Sequence, residues 1–128
     1  MSKQTIIEKI GIVFTEVSEE CVSATMPVDH RTHQPFGILH GGASVVLAET
    51  LGSVATLCNI DLETQNCVGV EVNANHIRSK REGQVLGKAT PINRGKKIQV
   101  WEIKITDEEE NLVCISRITM AVINKPKQ

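Results

Sequence analysis

Between Ala43 and Cys58 the chain carries a single charged residue, Glu49. A carboxylate in so apolar a run is costly if it is buried, ionised and unpartnered. It serves either in a buried ion pair or as a reactive group whose surroundings tune it. The residues before it bear on that choice. His40-Gly41-Gly42 joins a polar loop, Gln34-Pro35-Phe36-Gly37-Ile38-Leu39, to the apolar run. Two glycines suit the start of a helix, where they admit a ligand close to the backbone and leave first-turn N–H groups without helical partners. With the helix dipole, such groups favour a developing negative charge. Ser53, four residues after Glu49, falls on the same helical face. Further on, Val68, Val70, Val72 and Ala74 alternate with their neighbours, and His76 and Arg78 continue that face. This strand is core at one end and polar and basic at the other.

Other chemistries find little support. His30, His33 and His40 crowd one loop, but their spacing matches no zinc pattern and no cysteine or carboxylate pair completes a site. No metal is expected, and His30 and His33 read as solvated loop residues. There is no GxSxG elbow and no Ser-His-Asp order. Cys21, Cys58, Cys67 and Cys114 are scattered, without a CxxC or a Cys/His cluster. They read as reduced thiols of a cytoplasmic protein, three of them in the core.

The elements that must hold these groups follow from periodicity. The segment from Gly42 reads as a helix with no polar face, hence one buried on most sides. Thr50, Gly52 and Ser53 are small enough for close approach on one side. Ile6, Ile7 and Ile10 share a helical face, too short a run to define an element. Strands are expected over Ile12–Val17, Val22–Val28, Cys67–Arg78, Gln84–Pro91, Ile98–Thr106 and Leu112–Ile123. Pro27 places the second of these at an edge or at its terminus. Gln99, Trp101, Ile103 and Ile105 share one face. Consecutive strands with tight turns predict an antiparallel meander covered on one face by the helix. That leaves a sheet face and edges to be covered, which predicts a dimer joined edge to edge.

With 128 residues the chain is the size of one domain, 1–128, without repeats or linkers. A formal net charge of -1 gives no basic excess for nucleic acid. Phe14, Phe36 and Trp101 are the only aromatic residues, so no stacking platform for bases exists. The N-terminus, Met1 to Thr5, lacks a signal peptide's apolar core. As a helix the longest apolar run spans about 24 Å, short of a membrane crossing.

Gln34 to Ser53 resembles the hotdog-fold thioesterases, most closely the PaaI-like branch that includes 1,4-dihydroxy-2-naphthoyl-CoA hydrolases of menaquinone biosynthesis. The resemblance spans nearly the whole chain. It rests on Gln-Pro-Phe-Gly-Ile-Leu-His-Gly-Gly, Ala-Glu-Thr-Leu-Gly-Ser and Asn-Ala-Asn-His-Ile-Arg in that order. It implies an α+β hotdog fold, one long central helix wrapped by an antiparallel sheet of five to six strands. It implies an acyl-CoA substrate, no cofactor, and dimers with shared active sites paired into a dimer of dimers. Glu49 resembles the family's general base or nucleophile, and Gly41 the residue whose N–H polarises the thioester carbonyl. His40 resembles the histidine ordering that turn, Gln34 the glutamine positioning substrate or water, and Ser53 the hydroxyl near the attacking water. His76, Arg78, Arg94 and Gly42 are expected around substrate and CoA.

Residue chemistry is compatible with this. Thioester hydrolysis needs a nucleophile and an electrophile for the carbonyl oxygen. A carboxylate in an apolar setting is the better base, and the residues leave open whether Glu49 activates water or attacks directly. CoA phosphates could be held by Arg78, Lys80, Arg81, Arg94, Lys96 or Lys97. Two alternatives share the fold: a hydratase or dehydratase of acyl thioesters, which would pair a His with an acid, and a non-catalytic acyl-CoA binder. His40 lies directly against the Gly-Gly helix start, which suits carbonyl polarisation better than β-carbon proton transfer.

Overall fold

The computed structural model describes residues 3–126, so residues 1–2 and 127–128 of the expected 1–128 domain lie outside it. A short helix α1 (Ile6–Lys9) is followed by strands β1 (Val13–Val17) and β2 (Val22–Pro27), then the long helix α2 (Gly41–Leu57). Strands β3 (Gln65–His76), β4 (Gln84–Arg94), β5 (Ile98–Thr106) and β6 (Leu112–Asn124) complete the chain. All pairings are antiparallel in one six-stranded sheet of order β1-β2-β4-β5-β6-β3.

Only β4-β5-β6 form the simple meander. β3 does not lie beside β2 or β4; it pairs with β6 at the far edge. The cause is α2, which contacts every strand from β2 to β3 and so carries the chain across one sheet face. β2 is internal, and Pro27 marks its terminus rather than an edge.

The core lies between α2 and that face. Leu47, Ala48, Leu51 and Ala55 recur at helical spacing and are buried against Met26, Trp101, Ile103 and Ile118. Gln99, Trp101, Ile103 and Ile105 are all buried, as their alternation predicts. Helix and sheet come close at Gly52, where an added Cβ would stand 2.3 Å from Ile118 Cγ2. One buried polar link joins the layers: Trp101 Nε1–H donates to Thr56 Oγ1 (3.1 Å), whose hydroxyl donates to the Gly52 carbonyl (2.9 Å).

β3 departs from simple alternation. Its register with β6 shifts between Gly69 and Glu71, a β-bulge. The bulge changes the parity of the strand, so Val72, Ala74 and His76 follow Cys67 and Gly69 on the helix side. Val68 and Val70 are exposed instead of continuing the Val72 face.

Candidate active site

The candidate site is built where the loop before α2 turns into the helix. His40 is the N-cap, with extended φ -71 and ψ 130, and its Nδ1 accepts the Gly42 N–H at 2.7 Å. That bond needs the Nδ1 lone pair, so the neutral ring carries its proton on Nε2. The His40 carbonyl accepts from Ala43 N (3.0 Å) and Ser44 N (3.4 Å). Of the first-turn donors only the Gly41 N–H is left without a partner among the described residues. Gly42, expected to touch substrate, spends its N–H on the cap.

Gly41 opens onto a cleft of about 350 Å³. Ile38, Leu39, Ile77 and Val113 make its apolar walls, while Gln34, Ser44, His76 and Arg78 supply polar groups. His76, the last residue of β3, lies over Gly41: a Cβ there would meet His76 Nε2 at 2.8 Å. Any side chain at residue 41 would displace this ring. Gln34 Oε1 accepts the Phe36 N–H, which turns the loop and leaves the Gln34 NH₂ as a donor. Thus Gly41, Gln34, His76 and Arg78 are brought together as the sequence suggests. Ser44 was not foreseen: it looks like any small residue in an apolar run, and only its placement in the helix reveals it.

Glu49 is elsewhere on the helix. It is exposed in the single chain and makes no hydrogen bond or ion pair among the described residues. The expectation of a helix buried on most sides is therefore corrected. One face of α2 is buried, and the other, with Val45, Val46, Glu49, Thr50 and Ser53, is partly or fully open. Within one chain no Lys, Arg or His among the described residues pairs with Glu49. It lies beside the β3 bulge, its Oε2 3.3 Å from where a Cβ on Gly69 would be. With Val70, Glu71, Val72 and Ile118 it lines a separate cleft of about 140 Å³. Ser53 is half-buried one turn on, its carbonyl near Cys67 Sγ (3.9 Å).

Two distances separate Gly41 from Glu49 within one chain. Gly41 and Glu49 are eight helical residues apart, about 12 Å of rise. Their neighbours His76 and Gly69 are separated by roughly 20 Å of strand.

The basic residues divide similarly. Arg78 lines the Gly41 cleft. Lys80 is paired with Glu108, and its ammonium holds the Glu108 carboxyl below the usual range. Arg94 is not near the cleft: its Nη1 donates to the Glu19 carbonyl (3.3 Å), beside Asn59 at the C-terminal end of α2. Lys96 and Lys97 line another depression with Gln65 and Asn124, at the start of β3. The sequence does not tell which end of the sheet a turn occupies, so Arg94 is corrected to the end remote from His76. His30 is exposed, whereas His33 Nε2 contacts the Arg81 carbonyl at 2.8 Å and pins the loop. All four cysteines are free; Cys21 and Cys114 are buried and the other two half-buried. Burial pushes all four thiols up from their ordinary value.

Relatives place this geometry. The profile of the thioesterase superfamily matches residues 36–114, from the loop before α2 into β6. The chain belongs to that superfamily. This thioesterase is 50% identical to the 1,4-dihydroxy-2-naphthoyl-CoA hydrolase of Escherichia coli, an alignment covering 96% of this chain and 90% of the relative. It is 48% identical to the proofreading thioesterase EntH of Cronobacter sakazakii, over 93% of this chain and 86% of that one. Its fold superposes with a TM-score of 0.94 on a glutamine-to-alanine mutant of a Pseudomonas aeruginosa thioesterase, at 48% identity over 97% and 89% of the two chains. The α+β hotdog architecture is thereby established, and the enzyme is a thioester hydrolase. No helix among the described residues is long and apolar enough to cross a membrane.

Proposed function

We propose that this thioesterase hydrolyses an aromatic acyl-CoA of the 1,4-dihydroxy-2-naphthoyl type, at a site completed by a second copy of the chain. The observation that carries the reading is the unpaired Gly41 N–H in a cleft whose walls are apolar and whose mouth holds Arg78. The thioester carbonyl accepts this N–H, whose stabilisation grows as the oxygen becomes an oxyanion. Gln34 and His40 order the loop around it, and Arg78 attracts the nucleotide phosphates of CoA. The 50% identity to a 1,4-dihydroxy-2-naphthoyl-CoA hydrolase supports the acyl class.

Glu49 supplies the base or nucleophile. A carboxylate and an oxyanion donor acting on one carbonyl must both lie within about 3 Å of the reacting atoms or of an intervening water. The separation within one chain is several times that. Glu49 of the partner subunit, carried on the outward face of its helix, meets this chain's Gly41, and the reciprocal site forms by symmetry. The edge strand β3, with Val68 and Val70 exposed at 46% and 60%, offers the surface on which the two chains pair.

The test is thiol release from a panel of acyl-CoAs by wild type, Glu49→Ala and Glu49→Gln. Aromatic thioesters are expected to turn over fastest. Both variants should lose at least about a hundredfold in kcat, the scale of a positioned base. Undiminished turnover in the variants would remove Glu49 from the mechanism, and a preference for straight-chain acyl groups would overturn the aromatic assignment.

A further inference from the structure

We propose that the Ser44 hydroxyl is a second hydrogen-bond donor to the thioester carbonyl oxygen, acting beside the Gly41 N–H. The inference rests on the reading of Gly41 given above. Ser44 is only 1% exposed, yet its Oγ makes no hydrogen bond among the described residues. The hydroxyl is not sealed in, since Gln99 Oε1 is the one fully buried side-chain polar atom left unpaired among the described residues, and a helical serine ordinarily bonds the carbonyl four residues back. Here that carbonyl is His40's, already accepting from two backbone N–H groups. Ser44 instead lines the same cleft as Gly41.

The position of Ser44 makes the two donors converge. Residues three apart on a helix are neighbours, roughly 5–6 Å between Cβ positions. The Cα–Cβ bond tilts toward the helix N-terminus, so the Ser44 side chain leans back toward Gly41. A carbonyl oxygen has two lone pairs, and one that gains charge in the transition state is stabilised by each donor already aimed at it. Leu39 and Val113 line the cleft beside these donors, and apolar surroundings strengthen a hydrogen bond made there.

Ser44→Ala and Ser44→Cys test this by kcat and KM for benzoyl-CoA. A parallel measurement is the Kd of phenacyl-CoA, a ketone thioether with the carbonyl but no scissile thioester. Ser44→Ala should lower kcat about ten- to a hundredfold, with KM and analogue Kd changing no more than about twofold. Ser44→Cys fills the same space with a weak donor and should be impaired as well. Unchanged kcat in the alanine variant would overturn the proposal. So would a wild-type-like cysteine variant, which would make Ser44 a space-filling residue, or an analogue Kd weakened in step with kcat, which would make it a ground-state contact. Failure of the Gly41 reading shows separately, as full activity in Gly41→Pro, which lacks the N–H.

Discussion

If the site joins two chains, two inactive variants should repair each other. Glu49→Ala removes the carboxylate. Gly41→Pro removes the N–H, and the helix start is built to accept it. Proline is favoured at the first helical position, and the residue before it must be extended, as His40 is at φ -71 and ψ 130. The ring also intrudes on His76, since a Cβ at residue 41 meets Nε2 at 2.8 Å. Loss of an oxyanion donor costs about 3–4 kcal/mol, so each variant alone is close to silent. Co-expressed in equal amounts, random pairing makes half of the dimers mixed. In a mixed dimer one site takes Gly41 from the Glu49→Ala chain and Glu49 from the Gly41→Pro chain; the other site lacks both. Activity should therefore return to about a quarter of wild type in thiol release per chain. Recovery should be absent when the singly mutated proteins are assayed side by side without exchange. A co-expressed mixture no more active than its parents, with mixed dimers demonstrated by mass spectrometry, would refute the shared site.

Two further perturbations test the scaffold. Gly52→Ala would press a methyl to 2.3 Å from Ile118 Cγ2, so it should destabilise by about 1–3 kcal/mol in denaturant titration. Ile118→Ala in the same chain should couple with it, the double variant losing less than the sum. The Arg31 guanidinium, bonded to Asp29 at 2.7 Å, holds the Asp29 carboxyl well below the usual range, as Lys80 does for Glu108. Both carboxyls have folded values below their unfolded ones. Their contribution is present above the unfolded value near pH 4 and is lost as pH falls through the folded one. Thermal stability should therefore fall as pH is lowered from about 4 toward 2, and Arg31→Ala should flatten that slope. An identical slope in the variant would show that Asp29 does not contribute.

The parts of the fold governed by local periodicity were legible in the sequence. Gln99 to Ile105 reads as a strand with one buried face because each residue obeys the alternation. The helix start was legible from composition: two glycines mark the turn where the polar loop gives way to an uninterrupted apolar run. What was hidden depends on contacts distant in sequence. β3 pairs with β6 at the far edge because α2 spans the sheet, and no residue of β3 announces that partner. The bulge at Gly69–Glu71 reverses the facing of Val68 and Val70, which pure alternation puts beside Val72. The distance of Arg94 from the Gly41 cleft of its own chain was hidden for the same reason: a basic turn looks alike at either end of a sheet.

Glu49 joins what was read correctly to what was not. Its apolar surroundings along the chain suggested burial, whereas in one chain it stands on the open face of α2 with Val45 and Val46 half-exposed beside it. Apart from Glu49, an outer helix face of valines, a threonine and a serine is poorly suited to water. The apolar composition that seemed to demand burial within the chain is accounted for if this face is covered by a second one. In the proposed dimer the same covering would pair the edge left by β3 and close the gap between Gly41 and Glu49. Three features of the isolated chain would then share one remedy: an uncovered helix face, an unpaired strand edge and the separation of the proposed catalytic pair. A monomer would need a different explanation for each.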